Sequence, residues 1–475
     1  MEIPYFHRNT TEAFTPEHIL WGVLIFSWIV YLWESYLSSR QRQLYRTVNK
    51  VPAAIEHVLD AETFEKARVY QLDKSVFGLW SGLFSQVETT LLLLFGGLPF
   101  IWRVAGDITA YFGYGSEYEV LQSMAFMVLT MIYSTIIGLP WGLYSTFVIE
   151  ERHGFNKQTV GFFLKDTVKK LLVTLVIALP ILATLITIVR LGGDYFFVYA
   201  WLFTFIITLV LITVYADFIA PLFDKFTPLP EGPLRTKIEE LAASINFPLK
   251  KLYVVEGSKR SSHSNAYFYG FYKNKRIVLF DTLLEDYTPM NKDGEISGEP
   301  TEDADKPDEK PKSEDNEGKK ERKMGCSNSE ILAVLSHELG HWKLNHNLKN
   351  LIIGQINTFL CFAVFGFLLN KQILYTAFGF SNNQPILIGL LIIFQFIFSP
   401  YNELLSFCMT VLSRRFEFQA DAFAKTLRHA AELRSALIKL NKDNLGFPVC
   451  DKLFSAWNYS HPPLLERLKA LEKED

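Results

Sequence analysis

Seven long apolar runs constrain this sequence of 475 residues more than any other feature. A membrane-spanning helix needs about 20 mainly apolar residues, and polar or charged sequence flanks each run. The predicted spans are 19–36, 82–102, 121–144, 171–190, 196–216, 351–369 and 385–408. The predicted fold class is therefore a mainly α, polytopic membrane protein with seven transmembrane helices.

Basic residues predict the orientation of these spans, because loops rich in Lys and Arg stay in the cytosol. The residues just after the first span are basic, whereas acidic residues dominate the segment before it. Residues 1–18 are therefore predicted to be non-cytosolic, and residues 19–222 to hold the first five spans. Arg414 and Arg415 follow the seventh span, which places the C-terminal segment in the cytosol.

The polar segments predict one domain on the cytosolic side. Residues 223–350 include an amphipathic helix and two strand-like stretches, KLYVVEGS and KRIVLFDTLL. Within them, residues 290–327 are acidic and nearly free of apolar side chains, which predicts a disordered insert. Residues 351–412 hold the last two spans, and residues 413–475 are predicted to complete the domain. The net charge of −3 does not indicate a nucleic-acid partner.

The stretch SHELGHWKLNH, residues 336–346, predicts a metal site. Helical residues advance by about 100° each, so His337 and His341 share one face, where two imidazoles can hold one Zn²⁺. Glu338 lies beside them and suits a base acting on a metal-activated water. On a continuous helix His346 would point away from the metal, which predicts a place on the helix surface or beside a ligand. The alternative is an ordinary helix with surface histidines.

The third metal ligand is predicted in RRFEFQADAFA, just after the seventh span. Glu417 and Asp421 are spaced i, i+4 on a predicted helix, on the same side of the membrane as the histidines. One carboxylate can complete the zinc site, and the other can accept a hydrogen bond from a ligating histidine. The alternative is a solvated acidic face. In SHPPLLERL, His461 and Arg467 are candidates for oxyanion stabilisation, unless this stretch is simply a loop that enters a helix.

Together, HELGHWK, EFQADAFA, SHPPLLER, SSHSNAYFYGF and EERHGFN resemble the CAAX prenyl protease 1 family of integral-membrane zinc metalloproteases. The resemblance covers nearly the whole chain apart from the extreme N-terminus and the acidic insert. It implies seven helices around a large water-filled chamber, with a zinc domain closing the cytosolic side. It also implies a location in the endoplasmic reticulum and inner nuclear membranes.

The resemblance further implies a site and an activity. The matching residues are His337, His341 and Glu417 for one zinc ion, Glu338 as base, His461 and Arg467 as catalytic polar groups, and Asn265 for the peptide backbone. The implied reaction removes the last three residues of a farnesylated C-a-a-X protein, with a second, upstream cleavage of the prelamin A type. Two alternatives stay open: a membrane quality-control zinc protease, and a non-enzymatic seven-span protein.

Overall fold

A computed structural model describes residues 15–270, 274–285 and 324–472. The predicted acidic insert lies outside the described residues as far as residue 323. The helices are α1 (Pro16–Thr47), α2 (Ala61–Leu94), α3 (Gly97–Tyr111), α4 (Glu119–Tyr144), α5 (Val160–Leu191), α6 (Phe196–Val214), α7 (Ala220–Phe223), α8 (Pro233–Ser244), α9 (Asn328–Lys343), α10 (His346–Leu368), α11 (Gln372–Ala377), α12 (Ile386–Leu391), α13 (Ser399–Thr426), α14 (Ala430–Asp443), α15 (Lys452–Asn458) and α16 (Leu464–Glu472). The strands are β1 (Phe226–Pro228), β2 (Leu249–Val255), β3 (Ala266–Tyr269) and β4 (Lys275–Phe280).

Five of the described helical segments are long and apolar enough to cross a membrane alone, and up to seven spans form if each of two bent pairs counts as one. The α2–α3 pair bends by 67°, and the pair formed by Ile386–Ile397 and α13 bends by 58°. The first bend occurs at Gly96, whose φ of 67° glycine adopts without steric cost. The second and seventh predicted spans are therefore bent, and the mainly helical fold class is confirmed.

The membrane body presents apolar side chains outward as well as inward. Phe365, Tyr375 and Ile388 are fully buried where α10, α11 and α12 pack together. In contrast, Val176 is 74% exposed and Phe367 is 72% exposed. Such large exposed apolar groups on long helices fit a surface that contacts lipid rather than water.

The four-stranded sheet has the order β1-β2-β4-β3, so β3 lies at one edge. β2 and β4 are parallel, whereas β1 and β3 each pair antiparallel with their neighbours. Side chains alternate between the two faces of a strand. Val254, Ala266 and Ile277 belong to a core shared with α8 and α9, whereas Val255 and Tyr267 face a cavity beside α5.

Candidate metal centre

The helix that carries the predicted motif begins at a capping box. The Glu330 carboxylate accepts a hydrogen bond from the Ser327 N–H at 2.8 Å, and the Ser327 hydroxyl accepts one from the Glu330 N–H. Glu330 also accepts hydrogen bonds from Ser435 at 2.6 Å and Lys439 at 3.3 Å. Burial opposes ionisation of Glu330, but these donors outweigh it and hold the pKa of its carboxyl below the usual range. This network fixes the start of α9 against α14.

A glycine lets α9 and α13 approach closely. A Cβ atom at Gly340 would lie only 3.1 Å from the Cα atom of Ala420 and 3.1 Å from the Phe423 ring. Gly340 lies between the two histidines of the motif, so the close approach falls at the site itself. The i, i+4 spacing on each helix then sets His337 and His341 opposite Glu417.

Three side chains converge at this crossing. The Nε2 atoms of His337 and His341 are 3.2 Å apart. The Glu417 carboxylate lies 3.4 Å from Nε2 of His337 and 3.3 Å from Nε2 of His341. Ligand atoms from all three residues lie within 4.8 Å of one another. The structure thus places the three predicted metal ligands in a single cluster.

Hydrogen bonds on the far side of each imidazole fix its tautomer. Nδ1 of His337 lies 2.8 Å from Oδ1 of Asp421, and a carboxylate can only accept, so that nitrogen carries the proton. Nδ1 of His341 lies 2.9 Å from Nδ1 of His346. When Nδ1 of His337 and Nδ1 of His341 each carry the proton, the Nε2 lone pairs of these two histidines and the Glu417 carboxylate face one point. This set of acceptors fits a metal cation.

His346 lies beside a predicted ligand, which is one of the two places that the sequence predicted for it. The helix is not continuous, so His346 does not take the other predicted place, on the helix surface. The backbone turns at Asn345, whose φ is 58°, and α10 begins at His346 in a new direction. His346 is 1% exposed, stacks on Phe416 at 4.0 Å, and has Nε2 3.0 Å from Oε1 of Gln419.

These contacts define a chain of hydrogen bonds. Because the Gln419 oxygen only accepts, Nε2 of His346 donates to it, and Nδ1 of His346 is left to accept from His341. His346 therefore contacts a predicted ligand rather than the helix surface. The sequence held one signal for the helix end, since Asn adopts left-handed backbone more readily than most residues.

Asp421 is held between His337 and Arg467. Two nitrogens of the Arg467 guanidinium donate to the Asp421 carboxylate at 2.8 and 2.6 Å. Burial opposes ionisation of Asp421, but hydrogen bonds from His337 and Arg467 hold the pKa of its carboxyl below the usual range. A third nitrogen, Nη1 of Arg467, lies 3.7 Å from Glu417. Arg467 thus supports the histidine through Asp421 and faces Glu417 directly.

Electrostatics separate the two glutamates of the site. Burial of Glu417 opposes ionisation, but His337, His341 and His461 together hold the pKa of its carboxyl far below the usual range. Burial of Glu338 instead raises the pKa of its carboxyl, despite the two neighbouring histidines. Glu417 is therefore suited to bind a cation, whereas Glu338 has the higher proton affinity of the two.

The remaining predicted residues lie around this cluster. His461 is exposed, and its Nδ1 is 2.9 Å from Oε2 of Glu417 without the alignment of a hydrogen bond. Asn265 is exposed at the start of the edge strand β3. Its side-chain oxygen accepts the Ala266 N–H at 2.8 Å, and its carbonyl accepts the Phe280 N–H at 3.0 Å. β3 packs beside α9, so the edge strand belongs to the same domain as the metal cluster.

Comparisons with known proteins match both halves of the chain. Residues 41–225 match the family described as CAAX prenyl protease N-terminal, five membrane helices, and residues 228–475 match peptidase family M48. Fold and site together define a membrane-spanning metalloprotease. The CAAX prenyl protease 1 homolog of Homo sapiens is 63% identical over 459 residues, covering 96% of both proteins. The chain belongs to the CAAX prenyl protease 1 family.

Other relatives agree in sequence and in structure. The CAAX prenyl protease 1 homolog of Mus musculus is 63% identical over 458 residues, again covering 96% of both proteins. The crystal structure of S. mikatae Ste24p superposes with a TM-score of 0.81 at 34% identity, covering 97% of this chain and 100% of that one. The predicted family resemblance is therefore confirmed over nearly the whole chain.

Proposed function

We propose that this chain is a zinc metalloendopeptidase of the HExxH-plus-glutamate type, which removes the aaX tripeptide from farnesylated CaaX proteins. The observation that carries the proposal is the convergence of His337, His341 and Glu417 within 3.2–3.4 Å of one another, with Glu338 on the same helix. The family name of the human and mouse relatives supports the substrate class. A second cleavage upstream, of the prelamin A type, belongs to the same proposal.

Zinc fits the spacing of the cluster. Two ligand atoms about 2.05 Å from a tetrahedral zinc are about 3.3 Å apart, and the measured separations in the site are 3.2, 3.3 and 3.4 Å. Two imidazoles and one carboxylate leave the fourth position for water or substrate, as in other catalytic zinc sites. A zinc ion bound here would activate that water and polarise the scissile carbonyl.

The chain's own residues then supply proton transfer and orientation. Glu338 takes a proton from the attacking water and passes it to the amine released when the peptide C–N bond breaks. Asp421, held by Arg467, keeps His337 in the tautomer that offers Nε2. His461 and Nη1 of Arg467 lie close to Glu417 and can donate to the oxyanion.

The edge strand offers a place for the peptide. A free strand edge can accept an extended chain through main-chain hydrogen bonds, and among the described residues β3 pairs only with β4. Asn265 is exposed where β3 begins, and we assign it to the substrate backbone. The peptide would therefore run along β3 towards the metal cluster.

The orientation in the membrane is also a proposal. Basic residues after the first and seventh spans support a lumenal N-terminus and a cytosolic metal site. The family implies endoplasmic reticulum and inner nuclear membranes, where a cytosolic or nucleoplasmic site meets prenylated proteins. The domain limits predicted from the sequence, with the site built from residues 223–350 and 413–475, belong to the same proposal.

Mass spectrometry of matched peptides tests the proposal. The zinc content of the purified chain is measured, and the chain is incubated with farnesylated and unfarnesylated CaaX peptides of the same sequence. We expect release of aaX from the farnesylated peptide with the larger kcat/KM. Equal cleavage of both peptides would favour a general membrane quality-control protease instead. A chain that lacks zinc and cleaves neither would indicate a non-enzymatic protein.

A further inference from the structure

A large cavity lies on the face of the sheet that points away from α9. Its volume is about 960 Å³, within the range of small-ligand sites. We name it the α5 crevice, after the helix that forms its longest wall. Its lining includes Val173, Ile177 and Ile181 of α5, Tyr215 and Phe223 beyond α6, and Tyr267 of β3.

The α5 crevice is long and apolar. Residues of α5 line it from Lys170 to Leu185, which corresponds to about 22 Å at about 1.5 Å per residue. Between these two residues its wall on α5 is formed by aliphatic side chains and one threonine, Thr174. α5 is one of the membrane-spanning helices. The crevice therefore runs from the cytosolic domain to membrane depth.

The charged groups at the cytosolic end are already paired. Arg260 donates to Asp166 at 2.8 and 3.1 Å and to Asp224 at 2.7 Å. Lys170 lies 2.9 Å from Asp166. The two cations that line the cavity are thus each paired with a carboxylate and are not free to bind a phosphate. The chemistry of the α5 crevice suits a neutral, elongated and apolar group.

We name the part of the α5 crevice that adjoins the edge strand its mouth. Ser261, His263 and Tyr267 all line the cavity, and Asn265 lies between them in sequence. Alternate residues of a strand share a face, so Asn265 and Tyr267 point to the same side of β3. A peptide added along β3 would therefore pass beside the mouth of the cavity.

We propose that the α5 crevice binds the isoprenoid chain of the substrate. This inference rests on the proposed function and adds the place where the lipid is held. With C–C bonds of about 1.5 Å, the main chain of a farnesyl group cannot exceed about 17 Å, which is shorter than the crevice. The thioether joins the isoprenoid to the peptide next to the scissile bond. A peptide on β3 thus delivers its lipid to the mouth.

Variants that fill the cavity test the inference. Ile177→Trp and Ala178→Trp each add bulk to the lined face of α5, whereas Val176→Trp introduces the same side chain on the exposed face and serves as the matched control. We expect the two filling variants to raise KM for the farnesylated peptide about tenfold or more. We expect no change in the zinc content of these variants or in their kcat. Their KM for the unfarnesylated peptide, or its inhibition constant, should not change either.

A photoreactive peptide gives a readout that needs no variant. A CaaX peptide with a diazirine in its isoprenoid should label wild-type α5 between Val173 and Leu185, as mapped by mass spectrometry. Labelling elsewhere, with unchanged KM in both filling variants, would overturn the inference. It would indicate that bilayer lipid, rather than the isoprenoid of the substrate, occupies the crevice. If the wild-type chain does not cleave the farnesylated peptide at all, the proposed function itself fails.

Discussion

Replacing His346 by Phe should weaken zinc binding although His346 is not a ligand. Phe keeps the flat ring that stacks on Phe416 at 4.0 Å but removes the acceptor for Nδ1–H of His341. His346 is 1% exposed, so water cannot readily replace that acceptor. A buried donor left unsatisfied costs about 1–3 kcal/mol. His341 can escape this cost by turning its ring, which moves Nε2 out of the metal cluster.

The magnitude follows from that cost. At about 1.4 kcal/mol per factor of ten, His346→Phe should weaken zinc affinity about 5- to 150-fold. This range includes the roughly 10- to 100-fold loss that is typical when a partner orienting a metal-binding histidine is removed. Gln419→Leu removes only the next link of the chain and should have a smaller effect. The assay is competition for zinc against a chromophoric chelator at fixed pH.

A matched control isolates the hydrogen bond. Asn347→Ala changes the neighbouring exposed residue and should bind zinc as the wild type does. Thermal unfolding of each variant shows whether the fold is intact. Wild-type zinc affinity in His346→Phe would refute the reasoning, because His341 would then keep its orientation without the partner that the structure assigns to it.

Three further predictions concern the domain around the metal cluster. Glu330→Gln should lower the free energy of unfolding by about 1–2 kcal/mol at pH 7, measured by thermal or denaturant unfolding. The pKa of the Glu330 carboxyl is lowered by folding from its usual value of 4.5, so its ionisation stabilises the fold above that pH. This stabilisation is lost as the pH falls, and the difference in stability between Glu330→Gln and wild type should therefore shrink in acid. Replacing residues 289–320 by a short Gly-Ser linker should leave kcat unchanged, because the Cys326 N–H bonds to the Leu283 carbonyl at 2.8 Å and holds the flanks together. Asn265→Ala should raise KM for a farnesylated peptide several-fold at unchanged zinc content.

Each of these predictions has a contrary outcome. A Glu330→Gln variant that is as stable as wild type at pH 7 would show that the capping network contributes little. Loss of activity in the linker variant would give the replaced segment a role in catalysis. A lower kcat with unchanged KM in Asn265→Ala would remove Asn265 from peptide binding and place its effect on the chemical step.

Local periodicity made much of the site predictable. A helix repeats every 3.6 residues, so the i, i+4 spacings of His337 with His341 and of Glu417 with Asp421 each placed two side chains on one face. The structure brings these pairs together where Gly340 lets the helices meet. The spans were predictable for a similar reason, since the length of an apolar run reflects the thickness of the bilayer.

What the sequence missed depends on single backbone angles and on tertiary packing. The positive φ values at Gly96 and Asn345 change the direction of two helices, and the hydropathy pattern does not indicate either turn. The turn at Asn345 is the reason that His346 lies beside His341 rather than on the helix surface. The α5 crevice is formed by residues from separate helices and from the sheet. No local pattern predicts a cavity that exists only after these elements pack.

The most direct test of the zinc-protease account is single-turnover cleavage of a farnesylated CaaX peptide by zinc-loaded Glu338→Gln. Gln is close to Glu in size and shape but cannot accept the proton of the attacking water. His337, His341 and Glu417 are unchanged, so the variant should still bind one zinc per chain. We predict a cleavage rate lower by about 10²- to 10⁴-fold, the usual contribution of a general base. A zinc-loaded Glu338→Gln chain that cleaves the peptide at the wild-type rate would contradict the account.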